Sequence, residues 1–265
     1  MKLILPAQIW QFRNFIFGSI IREIQARYKS SVFGAAWVVL PPLAQITIYT
    51  LIFSNLIGAR LPGIDDKLGY SIYLCAGIIS WSFFGEIVSK NTSIFLDNAN
   101  LIKKVIFPRI CLPIIITAGA AVNFLVMLLI FLMFLFLSGR NPDIHLIAVI
   151  PLVILQLMFA ASIGMAVGVA NVFFRDIGQL TNIILQFWFW LTPIVYPISI
   201  LPDNIQSIVS MNPMTSIISG YQQVFLYHQW PDWQPLVGIA LITVCLMLMA
   251  LAIYRRNISA IVDEL

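Results

Sequence analysis

Long stretches without a charged residue are the feature that most limits how this chain can fold. A helix needs about 20 apolar residues to cross the hydrocarbon core of a bilayer. A charged side chain at the centre of that core costs at least about 2.5–3.5 kcal/mol. Six intervals without Asp, Glu, Lys or Arg have about the required length. They are Ser30–Ala59, Leu68–Gly85, Ile110–Gly139, Ile144–Phe174, Ile177–Pro202 and Trp233–Tyr254.

These intervals predict an all-α polytopic membrane protein with six transmembrane helices. Composition agrees, because 60% of the residues are apolar and 10% are charged, whereas an average soluble domain has about 45–50% and about 25%. The three cysteines lie far apart in the sequence and indicate neither a disulfide framework nor a metal site. We expect the spans at about residues 33–57, 68–90, 110–138, 145–172, 177–197 and 234–254.

The chain between the last two predicted spans indicates something other than a further crossing. Residues 204–231 also lack charged side chains, but Gln, Asn and His interrupt their short apolar runs and Pro213 divides them. Segments of this kind are more often re-entrant or interfacial than spanning. We therefore expect re-entrant external helices at about residues 203–230, between spans five and six.

The basic residues predict the orientation of the chain. Six spans place both termini on one side, and Lys and Arg concentrate on the cytoplasmic side of membrane proteins. Twelve of the 15 Lys and Arg residues fall on the side of the termini, which predicts that both termini are cytoplasmic. The concentration of Lys and Arg on the cytoplasmic side accounts for the positive net charge of +4, so this charge does not indicate a nucleic acid partner.

An amphipathic helix is predicted before the first span. Its apolar face contains Ile9, Phe12, Ile16, Ile20 and Ile24, with polar residues opposite. The chain then divides into a cytoplasmic interface helix at 1–31 and a six-span transmembrane domain at 32–265. The helix could be a passive anchor, or its polar face could contact a partner or an anionic lipid head group. Arg27 and Lys29, at its water end, are the candidate phosphate contacts.

Two cytoplasmic loops contain candidate contacts to another protein. The loop after span two combines an apolar patch with two lysines, which suits either a loop lying on the membrane or a helix that docks into a cytoplasmic protein. The patch comprises Leu101, Ile102, Val105 and Ile106. The loop after span four is a very tight turn with the pair Arg175 and Asp176, which could equally be an ordinary charged turn.

The sequence QFWFWLTPIVYPIS, residues 186–199, predicts an aromatic surface followed by a broken helix. Phe187 and Trp190 are three residues apart and share one helical face, and Tyr196 lies near the outer end. Tyr49 and Phe53 of span one are four apart and could supply a facing wall. Apolar sugar faces pack on aromatic planes, so these rings could form a path for a glycan. An interfacial aromatic belt or ordinary core packing would explain the same residues.

Several motifs of enzymes are missing from the sequence. It contains no GxxxxGK[ST], HExxH or GxSxG, so we expect no catalytic residues, no metal site and no ATP site in this chain. We also expect no charged residue in the middle of a span, where a proton-coupled transporter usually has one. These features favour a transport path that a separate chain powers through the cytoplasmic loops.

The chain resembles the permease subunit of the ABC exporters that move lipid-linked polysaccharides such as O-antigen, capsule and teichoic acid. The resemblance runs almost end to end. It rests on the order and spacing of four segments: RYKSSVFGAAWVVLPPLAQITIYTLIF, NANLIKKVIFPR, NVFFRDIGQLTNIILQFWFWLTPIVY and MNPMTSIISGYQ.

This resemblance implies a homodimer of the chain with two copies of a P-loop ATPase subunit, which would bind ATP and Mg²⁺. It implies a channel between protomers, lined mainly by spans one and five, in a bacterial cytoplasmic membrane. The implied cargo is a glycan on undecaprenyl diphosphate. Two alternatives are an ABC exporter of drugs or simple lipids, and a polytopic membrane enzyme of envelope glycan assembly.

Overall fold

A computed structural model describes residues 10, 12–28, 36–49, 51, 68–104, 107–140 and 143–264, and all regular secondary structure in this part of the chain is helical. The helices are α1 (Arg13–Tyr28), α2 (Ala36–Tyr49), α3 (Gly69–Asp97), α4 (Ala99–Lys104), α5 (Cys111–Leu137), α6 (Val149–Phe173), α7 (Asp176–Trp190), α8 (Asp203–Ser210), α9 (Pro213–Phe225) and α10 (Trp233–Glu264). Two short 3₁₀ turns, Ile144–Ala148 and Ile198–Ile200, precede α6 and α8.

Four helices are long and apolar enough to cross a bilayer. They are α3, α5, α6 together with its 3₁₀ turn, and α10, with lengths of 27 to 32 residues. At about 1.5 Å per residue, each exceeds the hydrocarbon thickness of about 30 Å. The all-helical membrane architecture is therefore confirmed, and four of the six predicted spans have helices that can cross.

The other two predicted spans coincide with shorter helices. The helix α2 has 14 residues and α7 has 15, so each is about 21–23 Å long. The first predicted span lies partly outside the described residues. The helix α7 ends at Trp190, seven residues before the predicted end of span five, because Pro193 cannot donate a helical hydrogen bond and disfavours helical geometry in the residue before it.

The centre of the bundle is α3, which packs most extensively against α6. Gly164 and Gly168 of α6 allow this close approach. A Cβ atom at Gly168 would lie 2.3 Å from the backbone oxygen of Asn91, and one at Gly164 would lie 2.7 Å from the Cβ of Asn91. Small residues one turn apart bring helix backbones together in membrane proteins, and these two glycines serve that function here.

The short helix α9 closes one end of the bundle. Met214, Ile217 and Tyr221 are almost completely buried, and α9 packs mainly against α3. Asn212 caps its first turn and Pro213 occupies its first position, where a missing N–H costs nothing. The segment thus forms two short helices, α8 and α9, and the second begins at Pro213. The re-entrant arrangement of this segment stays a prediction.

Candidate functional site

The aromatic run at the end of α7 divides between two faces of the helix. Trp188 and Phe189 pack against aromatic side chains of α3, at ring-centroid distances of 5.2 Å and 5.7 Å. Phe187 and Trp190 point away from this contact and are 68% and 59% exposed. The run therefore combines an inner pair that fixes the helix with an outer pair that is available for another contact.

Polar side chains accompany the outer pair of rings. Gln179 and Gln186 are exposed on α7, and Ile183 is 44% exposed between them. Their spacings of three, four and seven residues place these side chains on the face of Phe187 and Trp190. We call these five residues the amide–aromatic face. Its rings offer flat apolar contact and its amides offer both hydrogen-bond donors and acceptors.

The chain just after α7 leaves helical geometry, and tyrosine hydroxyls of α3 donate hydrogen bonds to its carbonyl groups. The Tyr73 hydroxyl lies 3.0 Å from the carbonyl oxygens of both Pro193 and Tyr196. The Tyr70 hydroxyl donates to the carbonyl of Val195. Non-helical backbone at membrane depth requires such partners, because lipid supplies none. The break after the aromatic run is therefore stabilised by a second helix.

Tyr196, which the sequence suggested for a channel wall, has a defined partner in this turn. Its hydroxyl donates to the carbonyl oxygen of Trp190 at 2.9 Å, at the last residue of α7. Helix C-termini leave carbonyl groups without an intrahelical partner, and Tyr196 bonds one of them. The structure thus gives Tyr196 a role in closing the turn, while a role beside the cargo stays a prediction.

Asn212 connects the end of α7 to the start of α9. Its amide oxygen accepts the indole N–H of Trp188 at 2.9 Å, and its amide nitrogen donates to the hydroxyl of Thr192 at 2.9 Å. The same side chain caps α9. We call residues 188–196 together with 212–214 the α7–α9 corner. The corner ties the amide–aromatic face to the buried helix α9.

A line of polar side chains runs along α3 on the side away from its α6 contact. These residues recur at helical spacing, are partly exposed, and form what we call the polar ridge: Ser82, Glu86, Ser89, Lys90 and Ser93. Such a line on a membrane helix faces protein or water rather than lipid. Sequence reasoning treated Glu86 and Lys90 as the end of span two and missed the ridge, although their four-residue spacing was visible.

The charges of the polar ridge are joined to two other helices. The ammonium group of Lys90 lies 2.6 Å from a carboxylate oxygen of Glu86 and 3.4 Å from one of Glu23 on α1. The second carboxylate oxygen of Glu86 accepts a hydrogen bond from Asn123 of α5 at 2.8 Å. These side chains are 18–30% exposed. The cluster thus connects α1, α3 and α5.

Glu86 lies further inside its helix than the uncharged interval of the sequence indicated. The helix α3 continues to Asp97, so Glu86 lies 11 residues, or about 17 Å, from the end of the helix. The charge is tolerated because Lys90 and Asn123 are its partners, and paired charges inside the bundle are the usual form of intramembrane charge.

The polar ridge also reaches α7. The hydroxyl of Ser89 donates to the amide oxygen of Asn182 at 3.1 Å, in an exposed position. Asn182 is four residues before Gln186 of the amide–aromatic face. The ridge of α3 and the exposed face of α7 are therefore neighbouring surfaces.

The predicted apolar patch after span two is partly inside the bundle. Ile102 of α4 is 4% exposed and packs in the cluster that contains Phe95 and Tyr254, whereas Lys103 and Lys104 are exposed. Leu101 is half-buried against the same cluster. Val105 and Ile106 lie outside the described residues. Ile102 therefore fixes α4 to the bundle, and the lysines and part of Leu101 form its outer surface.

The tight turn between α6 and α7 is held by Asn171. Its amide group donates to the carbonyl of Thr92 at 2.9 Å and accepts the backbone N–H of Gly178 at 2.7 Å. Arg175 and Asp176 are both exposed in this turn. Asn171 thus joins the start of α7 to the end of α3, which leaves the charged pair available at that end of the bundle.

Besides Val105 and Ile106, four more predicted site residues cannot be placed. Phe53 and Lys29 lie outside the described residues, and the side chains of Tyr49 and Arg27 do too, although their backbones end α2 and lie in α1. In the part of the chain that the structure describes, no group of three or more His, Cys, Asp or Glu could hold a metal ion.

Comparisons with known proteins match this chain over most of its length. The family model for the ABC-2 type transporter matches residues 15–226. The O-antigen export system permease protein RfbA of Myxococcus xanthus is 29% identical over 255 residues, which is 96% of each chain. RfbA of Klebsiella pneumoniae is 29% identical over 77% of each chain. The polysialic acid transport protein KpsM of Escherichia coli is 22% identical over 92% of this chain and 93% of its own length.

The family model covers well over half of the chain, and four helices have the length and hydropathy to cross a membrane. The sequence and the structure thus agree on a multi-pass membrane protein, and the family expected from the quoted segments is confirmed. The chain belongs to the ABC-2 type transporter family of membrane proteins.

Proposed function

We propose that the chain is the transmembrane subunit of an ATP-driven exporter that moves an undecaprenyl-diphosphate-linked polysaccharide across the cytoplasmic membrane. The observation that carries this proposal is the amide–aromatic face of α7, where two exposed glutamines lie beside two exposed rings. Similarity to permeases named for O-antigen export and polysialic acid transport supports it, because two of these matches extend over more than 90% of the chain.

The amide–aromatic face has the chemistry that a moving glycan needs. Phe187 and Trp190 can stack on the apolar faces of sugar rings, while Gln179 and Gln186 can bond their hydroxyl groups. Contacts between flat rings are worth only about 0.5–1.5 kcal/mol each in proteins. Many contacts of this size hold a chain loosely, so a polysaccharide can slide without stalling at one site.

In this proposal, the face lines a channel between two copies of the chain. Tyr49 and Phe53 of span one would supply the facing wall, and Tyr196 would lie near the outer mouth. The helices α2 and α7 would complete a six-span arrangement with both termini cytoplasmic. The helices α8 and α9 would form the re-entrant outer segment. Arg27 and Lys29 would receive the lipid diphosphate at the cytoplasmic interface.

Energy would come from a separate chain. The sequence contains no P-loop, so ATP and Mg²⁺ would bind two copies of a partner ATPase. The exposed surface of α4, with Leu101, Lys103 and Lys104, and the turn at Arg175 and Asp176 would contact that partner. Ile102 would transmit motion of α4 into the bundle, because it packs among residues of α3 and α10.

Loss of individual rings tests the proposal. Phe187→Ala or Trp190→Ala should lower the export of surface polysaccharide and glycan-stimulated ATP hydrolysis by about two- to tenfold, from the value of one ring contact. Both can be measured in cells that carry only the variant and in the purified complete transporter. Dimer yield and co-purification of the ATPase should not change.

Control variants remove exposed rings of the same two residue types from other helices. Phe136 of α5 is 60% exposed and Trp233 of α10 is 42% exposed. Phe136→Ala and Trp233→Ala should leave export at the level of the unchanged chain. If the α7 variants export normally, or if all four variants export equally poorly, the amide–aromatic face is not part of the path.

A further inference from the structure

An apolar groove lies between α5, α6 and α10, and none of its lining residues belongs to the amide–aromatic face. Its volume is about 420 Å³. Ile114 and Ala118 of α5, Ala161 of α6, and Met247 and Leu251 of α10 line it. Among the described residues that line the groove, only Thr117 has a polar side chain, and its hydroxyl accepts a hydrogen bond from Asn91. The groove therefore suits a hydrocarbon chain.

Two arginines lie at one end of this groove. Arg109 directly precedes Ile110, which lines the groove, and its guanidinium donates to the carbonyl of Ile258 on α10 at 3.2 Å. Met247, Leu251 and Arg255 follow one another at intervals of four residues, so Arg255 lies one turn beyond the lining residues on the same face of α10. Arg255 is exposed.

The depth of Arg255 matches the edge of a bilayer. It follows Trp233, the first residue of α10, by 22 residues, or about 33 Å of helix. The hydrocarbon core is about 30 Å thick. Within the part of the chain that the structure describes, neither Arg109 nor Arg255 takes part in an ion pair.

A second groove adjoins the first and also has a cation. Ile114 lines both, and the second groove, about 440 Å³ in volume, lies between α1 and α5 with Trp10, Arg13 and Phe17 on its walls. The guanidinium of Arg13 lies 4.8 Å from the centre of the Trp10 ring. Two apolar grooves on either side of Ile114 match the two chains of a glycerophospholipid.

We propose that these grooves bind an anionic glycerophospholipid of the surrounding membrane. One acyl chain lies between α5, α6 and α10, and the other passes Ile114 along α1. The phosphate meets Arg255 and Arg109, whose guanidinium groups can donate two parallel hydrogen bonds to phosphate oxygens. The lipid joins α1 to α10. With the orientation proposed above it belongs to the cytoplasmic leaflet, and it is separate from the exported cargo.

Native mass spectrometry of the full-length chain from mixed phosphatidylglycerol and phosphatidylethanolamine vesicles tests the site. The unchanged chain should retain phosphatidylglycerol. Arg255→Gln should lower the retained amount by about tenfold, from the value of a charge-assisted hydrogen bond. Arg256→Gln is the matched control, because it removes the same charge from the next residue, and it should have less than about twofold effect. Ala161→Phe should displace the lipid by filling the groove.

Three results would overturn the proposal. Equal losses with Arg255→Gln and Arg256→Gln would mean that the lipid responds only to total charge. Full retention with Ala161→Phe would mean that no chain occupies the groove, and a loss of dimer with that variant would assign the groove to a second copy of the chain. Because lipid retention is measured without cargo or ATP, failure here leaves the export proposal standing.

Discussion

The helices α3 and α7 both come from predicted spans, but they relate to the bundle in opposite ways. Of the 29 residues of α3, 20 are buried, whereas only Thr181 is buried among the 15 of α7. Ser80 and Glu86 of α3 bond to side chains of α6 and α5. The helix α7, in contrast, leaves Gln179, Gln186 and two rings exposed. This difference indicates that α3 is the central packing helix of the bundle and that α7 has an exposed face available for another contact.

The largest effect should come from the contact between α3 and α6. Gly168→Ala places a methyl group 2.3 Å from the Asn91 carbonyl oxygen, so the backbones must separate, and overpacking of this kind costs about 1–3 kcal/mol or more. We expect a clear fall in the melting temperature of the purified chain. Gly238→Ala is the control, because a Cβ there meets nothing within 4 Å. Equal melting of both variants would remove α3 from its supporting role.

A smaller effect should separate the support from the surface. Tyr73→Phe removes the hydroxyl that lies 3.0 Å from two carbonyl oxygens after α7, and a buried group without its partner costs about 1–3 kcal/mol. Hydrogen exchange of residues 191–197 should speed up while α3 stays protected. Tyr227→Phe is the control, because this residue is 43% exposed, and it should change hydrogen exchange neither in residues 191–197 nor in α3. Unchanged exchange after Tyr73→Phe would mean that the turn does not depend on α3.

The smallest effect should come from the polar ridge. Lys90→Gln leaves the carboxylates of Glu23 and Glu86 without their shared cation, but all three side chains are partly exposed, so solvent limits the cost to about 1 kcal/mol or less. We expect faster hydrogen exchange in α1 with little change in melting temperature. Lys104→Gln is the exposed control. Adding Glu23→Gln should restore part of the protection, and no restoration would argue against a bond between α1 and α3.

The comparison also explains which features a sequence can predict. Uncharged length and hydropathy are properties of each segment alone, so α3, α5, α6 and α10 were predictable. The spacing of Phe187 and Trp190 likewise predicted one shared face. The break at Pro193 was also predictable, but the way in which the turn after α7 is stabilised was not, because the tyrosines that donate hydrogen bonds to its carbonyl groups lie about 120 residues earlier. The polar ridge was missed because its charges become tolerable only beside Asn123 and Glu23, which other helices supply.

The α7–α9 corner has a consequence for the order in which its contacts form during synthesis. Asn212 follows Trp188 by 24 residues, and ribosomes add about 5–20 residues per second, so Asn212 emerges about 1–5 s after its partner. Tyr70 and Tyr73 are by then already synthesised. The turn after α7 can therefore form first through hydrogen bonds from the two tyrosines. The hydrogen bonds of Asn212 to Trp188 and Thr192 follow when α9 has been synthesised. A nascent chain that stalls between residues 196 and 212 would have the turn after α7 bonded to the tyrosines but would lack the hydrogen bonds of Asn212.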